Sequence, residues 1–180
     1  MKHAIRVSAL ACAIVVIAAP SFPAAQAPAS IKAEMTKDWS DLKATMVKIA
    51  SEMPADKYGF KPTPAQQSFG ERVVHIAQVG NRFLGSVGGK AVAPALDAKT
   101  AALTKDAAIK TMSDFFDYGT ALLNEQSDQA MMQTVMAPFI GASSCARVYT
   151  FLIGHTWDIY GQMAVYLRLS GGVPPASQRP

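Results

Sequence analysis

Histidine is scarce in this chain of 180 residues, which contains only His3, His75 and His155. His155 lies within a run of apolar residues with helical spacing, where an imidazole requires a hydrogen-bond partner or a metal ion. A single histidine of this kind is more often a core residue with a satisfied hydrogen bond. Two histidines that face or flank the interior from different helices favour a metal site, because helical bundles build such sites from inward-pointing side chains.

The first 27 residues have the three regions of a secretory signal peptide. Lys2 and Arg6 precede a 13-residue stretch, 7–19, in which Ser8 is the only polar side chain, and Ala25-Gln26-Ala27 supplies small residues for cleavage. This stretch is shorter than the ~20 residues that span a bilayer. A short membrane anchor and a lipoprotein signal ending at Cys12 are the alternatives. We therefore predict cleavage after Ala27 or Ala29, a periplasmic or secreted protein, and no stable membrane insertion after cleavage.

The charge balance and the cysteines exclude two classes of protein. The full chain has 17 Lys and Arg against 13 Asp and Glu, a net charge of +4. Loss of Lys2 and Arg6 with the leader leaves 15 basic residues against 13 acidic ones, or +2. No run of basic residues remains, which argues against a nucleic-acid partner. Cys12 belongs to the leader, so Cys145 has no partner for an intrachain disulfide, and its place in an apolar stripe favours a buried, inert thiol.

Residues 28–180 are predicted to form one all-α domain, an antiparallel four-helix bundle with at least one long connection. Apolar residues recur every three or four positions in four segments, and no segment alternates with the period of a strand. Residues 90–103 are predicted to be a loop, and residues 127–142 leave short strand-like structure open. The predicted helices run from residue 31 to 53, from about 69 to 87, onward from 104, and from 143 or 144 to 170.

The ends of these helices carry recognisable capping residues. Ser30 precedes the first helix and Pro54 ends it. Ser68 and Glu71 have the spacing of a capping box at the start of the second helix. Thr104 is the expected cap of the third helix, and paired glycines close the second and the fourth.

Several of these segments, in their order and spacing, resemble the DinB-like family of bacterial four-helix bundles. Residues 52–64 resemble the connection between the first two helices of that family, and residues 68–71 with 75–77 resemble its second helix. The strongest similarity lies in the last segment, which comprises His155, residues 160–162, residues 166–168, the glycine pair and residues 174–177. The similarity extends from about residue 30 to residue 177.

The resemblance implies a divalent metal ion held by three histidines, one on the second helix and two spaced by four residues on the last. His75 and His155 match the first two ligand positions. The third falls on Ile159, which has no group to coordinate a metal. Asp158 lies three residues after His155 and is a tentative substitute ligand, and two histidines with one carboxylate suit Zn, Fe or Mn. The alternative is that Asp158 is solvated or orients a histidine.

Two functions of different class follow from this pattern. The resemblance implies a metal-dependent enzyme, a hydrolase or a thiol transferase, in which Zn, Ni, Fe or Mn lowers the pKa of a bound water or thiol. The alternative is a non-catalytic bundle with a degenerate metal site that binds a small molecule in an apolar pocket. Ile159 favours the second function, and the retention of His75 and His155 favours the first. The residues do not name a substrate, and they leave the oligomeric state open, although bundles of this size often form homodimers.

Overall fold

The helices of this protein begin where the side chain of a capping residue accepts a backbone N–H. Ser30, Thr104 and Ser144 each accept the N–H three residues ahead, as N-cap residues do. The computed structural model describes residues 30–178, and the predicted signal peptide, residues 1–27, lies outside them. The helices are α1 (Ile31–Glu52), α2 (Phe69–Leu84), α3 (Ala98–Ala101), α4 (Lys105–Glu125), α5 (Asp128–Met131) and α6 (Cys145–Leu169).

The structure is mainly helical, as predicted, but it departs from an all-α fold between α5 and α6. Strands β1 (Thr134–Ala137) and β2 (Gly141–Ser144) pair antiparallel with Ala137 opposite Gly141. The turn between them has positive φ at Phe139 (60°) and Gly141 (66°). The prediction for residues 90–103 was also incomplete, since the short α3 forms there. Asp97 caps α3 by accepting the N–H groups of Lys99 and Thr100, a local signal that the weak apolar pattern obscured.

The four long helices pack around one core, with α1 and α2 each contacting both α4 and α6. Lys32 of α1 donates to the carbonyl of Asn124 near the end of α4, and Lys105 at the start of α4 donates to the carbonyl of Met53. These two helices therefore run antiparallel. The α2 and α6 helices also run antiparallel, because aromatic side chains near the start of each contact aromatic side chains near the end of the other or beyond its middle.

The α2 and α4 helices run parallel, which differs from the predicted antiparallel neighbours. A Cβ at Gly80 would lie 2.0 Å from the ring of Phe115, and one at Gly89, after α2, would lie 2.6 Å from Leu122. Later residues of the α2 segment therefore contact later residues of α4, as in two parallel helices. The long segment between α2 and α4 returns the chain to its starting end, which makes the parallel arrangement possible. Within residues 30–178, no helix is both long and apolar enough to cross a membrane.

Candidate functional site

His75 is positioned by the capping box that starts α2. The Ser68 hydroxyl accepts the N–H of Glu71, and the Glu71 carboxylate accepts the N–H of Ser68, so the predicted capping box is present. Val74 and Ile76, on either side of His75, are buried, whereas His75 itself is half-buried. His75 therefore lies on the flank of the apolar face of α2, where its ring can reach the neighbouring helix.

His155 occupies the middle of α6, on the side that packs against α2. Leu152 and Ile159, about one turn to either side, are 1% and 2% exposed, and His155 is half-buried. Two aromatic contacts fix α6 against α2 on both sides of the histidines. Phe83 stacks on Phe151 with ring centres 4.6 Å apart, and Phe69 contacts Tyr166 with centres 6.5 Å apart.

The two predicted histidine ligands face each other across this interface. Their ring centres are 5.4 Å apart, with an angle of 59° between the ring planes. Nε2 of His155 is buried and has no hydrogen-bond partner within residues 30–178. Because buried polar atoms are nearly always paired, the unpaired nitrogen makes this interface a candidate ligand site.

Burial lowers the pKa of both histidines. For His75, burial is the largest cause, and the positive charges of His155 and Arg72 lower the pKa further. For His155, burial also dominates, and the carboxylate of Asp158 opposes it only in part. Both rings are therefore neutral at neutral pH, and neutral imidazole is the form that coordinates metal ions.

Asp158 does not join the histidines in a compact cluster. Its side chain is exposed and accepts a hydrogen bond of 2.8 Å from the amide of Gln162. Within the described part of the chain, no group of three or more His, Cys, Asp or Glu side chains is placed to hold a metal ion. The structure thus brings His75 and His155 together, fills the next position with the buried Ile159, and leaves Asp158 on the exposed side.

Arg72 is a member of this site that the sequence reasoning missed. It lies three residues before His75, and its charge acts on that histidine. Its Nε is buried with no hydrogen-bond partner in residues 30–178. Three-residue spacing on one helix was the signal that could have identified it.

A cavity of about 440 Å³ lies beside the two histidines, and neither histidine lines it. This cavity is open to solvent and is lined by residues of α2, the loop before it and the α3 segment. Gln78, which follows His75 by three residues, is one of its lining residues. The others are Gly59, Lys61, Gln67, Ser68, Glu71, Val74, Ala98, Lys99, Ala102 and Leu103.

These observations define the protein as a bundle of long helices in which two histidines face each other. The family model of the DinB superfamily matches residues 38–163, which include both histidines. The match covers most of the chain, and this protein belongs to the DinB superfamily.

Two solved structures share the fold. A DinB-like protein from Bacillus cereus ATCC 10987 superimposes with a TM-score of 0.64 at 22% identity, covering 81% of this chain and 96% of that one. The DinB-like protein YjoA from Bacillus subtilis gives a TM-score of 0.60 at 15% identity, with coverage of 81% and 99%. Comparison with curated proteins gave no match.

Proposed function

We propose that this protein is an exported four-helix bundle of the DinB superfamily that binds one divalent metal ion between His75 and His155. The facing rings carry the proposal, because two neutral imidazoles with centres 5.4 Å apart are suited to share an ion. Metal–nitrogen bonds of about 2.0–2.1 Å in a tetrahedral site place two ring centres about 5 Å apart. Nε2 of His155 is buried without a hydrogen-bond partner in residues 30–178, so its lone pair can serve a metal ion.

The donor set fits a weakly bound ion rather than a closed structural site. Structural zinc sites use four protein ligands and catalytic sites three, whereas His75 and His155 supply two. Zn, Ni, Fe and Mn all accept imidazole, so the residues do not select one of them. When bound, such an ion would act as a Lewis acid and lower the pKa of a water or thiol. A hydrolase or thiol-transferase reaction is the activity that this chemistry supports.

The second candidate is a non-catalytic bundle that binds a small molecule and has a degenerate metal site. The buried Ile159 favours it, since an aliphatic side chain occupies the position of the third histidine. Under either candidate the partner is a small molecule and not a nucleic acid, because the mature chain has no basic stretch.

Metal content separates the two candidates. The mature protein is purified from its native compartment without a histidine tag, and its metals are measured by mass spectrometry. We expect Zn, Ni, Fe or Mn to raise the thermal midpoint of the parent, since an ion that binds only the folded state stabilises it. His75→Ala and His155→Ala should each abolish this response, and the double variant should lose no more. A Gln129→Ala variant, altered on the exposed surface of α5, is the control.

A parent that is metal-free and unresponsive to all four ions would leave the binding bundle as the function. Independent and additive losses of stability in the two histidine variants would give the same result, because they indicate two separate structural histidines.

Export is tested by the intact mass of protein purified from cells. The proposed periplasmic or secreted protein should begin at Pro28 or Ser30. A chain that begins at Met1 and remains with the membrane fraction would contradict export while leaving the metal proposal untouched.

A further inference from the structure

The cavity beside α2 has a size and a rigid frame suited to a small ligand. Its volume of about 440 Å³ falls within the range of small-molecule sites. A Cβ at Gly70 would lie 2.3 Å from the carbonyl oxygen of Ala102, so α3 is seated directly on the backbone of α2. Tyr166 of α6 donates a 2.9 Å hydrogen bond to the carbonyl of Gln67 and fixes the opposite wall. Both walls are therefore held in place by the fold.

The loop wall presents a hydrogen-bond acceptor that the protein does not use. Oε1 of Gln67 is buried and has no hydrogen-bond partner among residues 30–178. Leaving such an atom unpaired costs free energy, and a donor from a ligand would remove that cost. Glu71 also lines this side, but its carboxylate accepts the N–H of Ser68 and lies 3.4 Å from Nζ of Lys61. The charges of Glu71 and Lys61 therefore largely cancel.

The α3 wall presents the positive charge of Lys99, which also acts on the carboxylate of Asp97, a residue outside the cavity lining. Lys99 lines the cavity, and its ammonium forms no salt bridge with another described residue. Val74, Ala102 and Leu103 supply apolar surface to the cavity lining. Lys61, Lys99 and Glu71 are the charged residues of the lining and give it one net positive charge. This charge favours a monoanion over a phosphate dianion, which Glu71 would repel more strongly.

From this arrangement we infer that the cavity binds a small carboxylic acid that also carries a hydrogen-bond donor. The carboxylate lies against Lys99, the donor reaches Oε1 of Gln67, and the apolar body covers Val74, Ala102 and Leu103. The site uses neither His75 nor His155, so it stands apart from the proposed metal function and can be tested separately.

Phenyllactate is a suitable probe because it combines a carboxylate, a hydroxyl and an apolar ring. Titration is followed by amide chemical shifts of the full mature protein. We expect saturable shifts at Val74, Ala102 and Leu103. Phenylpropionate, which lacks the hydroxyl, and phenyllactamide, which lacks the charge, should both bind more weakly. An exposed ion pair corresponds to a loss of about two- to fivefold for the amide.

The Lys99→Gln variant tests the charge without threatening the fold, since Lys99 is exposed. It should bind phenyllactate about two- to fivefold more weakly and should no longer distinguish the acid from the amide. Lys48→Gln, an exposed lysine on α1, is the matched control and should bind as the parent does. Equal binding of acid and amide by the parent, or no saturable shift at the cavity residues, would overturn the inference.

The histidine variants separate this inference from the metal proposal. His75→Ala should bind phenyllactate as the parent does, even though it loses its response to metal. Lys99→Gln should keep the metal response. Loss of phenyllactate binding in His75→Ala would show that the acid binds at the histidines, and the inference would fail while the metal proposal stood.

Discussion

The interface between α1 and α4 and the interface between α2 and α6 bury different kinds of polar atom. In the first, the Trp39 ring packs against Phe115 and Phe116 of α4 and against Tyr149, which α6 contributes, with centres 5.0–5.3 Å apart. The indole N–H donates to the carbonyl of Phe116 at 2.9 Å, and the Tyr149 hydroxyl donates to the carbonyl of Gly119 at 2.8 Å. The polar atom of each of these side chains is thus paired within the protein.

The α2–α6 interface leaves comparable atoms unpaired. Nε2 of His155 and Nε of Arg72 are buried there without a hydrogen-bond partner in the described residues. Unpaired buried atoms weaken an interface, so these two atoms do not add to its stability. The α1–α4 interface thus holds the bundle together, whereas the α2–α6 interface is where we propose that a metal ion binds. Four predictions test this difference.

The largest effect should follow from Trp39→Ala. Removing this ring leaves a large cavity and should lower the free energy of unfolding by about 3–5 kcal/mol, as measured by urea denaturation. Because Trp39 lies in the structural region, the folded variant should keep the zinc-induced rise in thermal midpoint. A variant that folds but has lost that response would show that the two regions are coupled.

Ile159→His should alter the ligand region in two opposing ways. Replacing a buried aliphatic side chain with a polar ring should cost the metal-free protein about 1–3 kcal/mol. The new imidazole lies one turn after His155 on the same helix face, so zinc should bind far more tightly and restore the lost stability. Titration calorimetry measures the affinity. Val165→His, on the exposed side of α6, is the control, and equal affinities in the two variants would place residue 159 outside the site.

Stability should depend on pH through the two histidines. Burial lowers the pKa of each below 6.5, so the unfolded chain binds more protons than the folded one as the pH falls through that range. The metal-free parent should therefore lose stability from about pH 7.5 to about pH 5.5, above the range where carboxylates titrate. A variant with His75→Gln and His155→Gln should show a flatter profile in urea denaturation. Identical slopes would mean that the histidines are not buried in the neutral form.

Asp158→Asn should have the smallest effect. Its carboxylate is exposed and bonded to Gln162, so the free energy of unfolding should change by less than about 0.5 kcal/mol. Zinc affinity should fall only severalfold, because the carboxylate attracts the cation through solvent. Asp114→Asn on α4 is the control for the change of charge. A loss as large as that in His75→Ala would establish Asp158 as a direct ligand.

Local features of the fold could be predicted from the sequence because they depend on neighbouring residues. Ser68 and Glu71 lie three positions apart and cap α2 whatever the rest of the chain does. The inward stripe of α6 also followed from spacing alone, and it correctly placed His155 on the side that packs against another helix. The helical fold could therefore be anticipated from spacing, and the pairing of His75 with His155 from the resemblance to the DinB-like family.

Features that depend on contacts between distant segments could not be predicted from the sequence. No residue pattern specifies that Nε of Arg72 is unpaired or that the carbonyl of Ala102 packs closely against Gly70. Both features arise only when the helices pack together. The cavity beside α2 was hidden for the same reason, since α3 lies in an alanine-rich stretch with little periodicity. The parallel course of α2 and α4 likewise depends on how the long connection returns, which amphipathic spacing does not report.

The order in which the helices surround the core has a consequence for how the chain folds. Since α1 and α2 each pack on α4 and α6, only the α2–α4 interface joins long helices that follow each other in sequence. In a simple up-and-down bundle, helices that follow each other in sequence pack together as hairpins. In this protein α1 does not pack mainly on α2, and α4 does not pack mainly on α6. The remaining interfaces must close large loops before any packing repays the lost chain entropy. Folding of this domain should therefore be slower than its helix content alone would indicate.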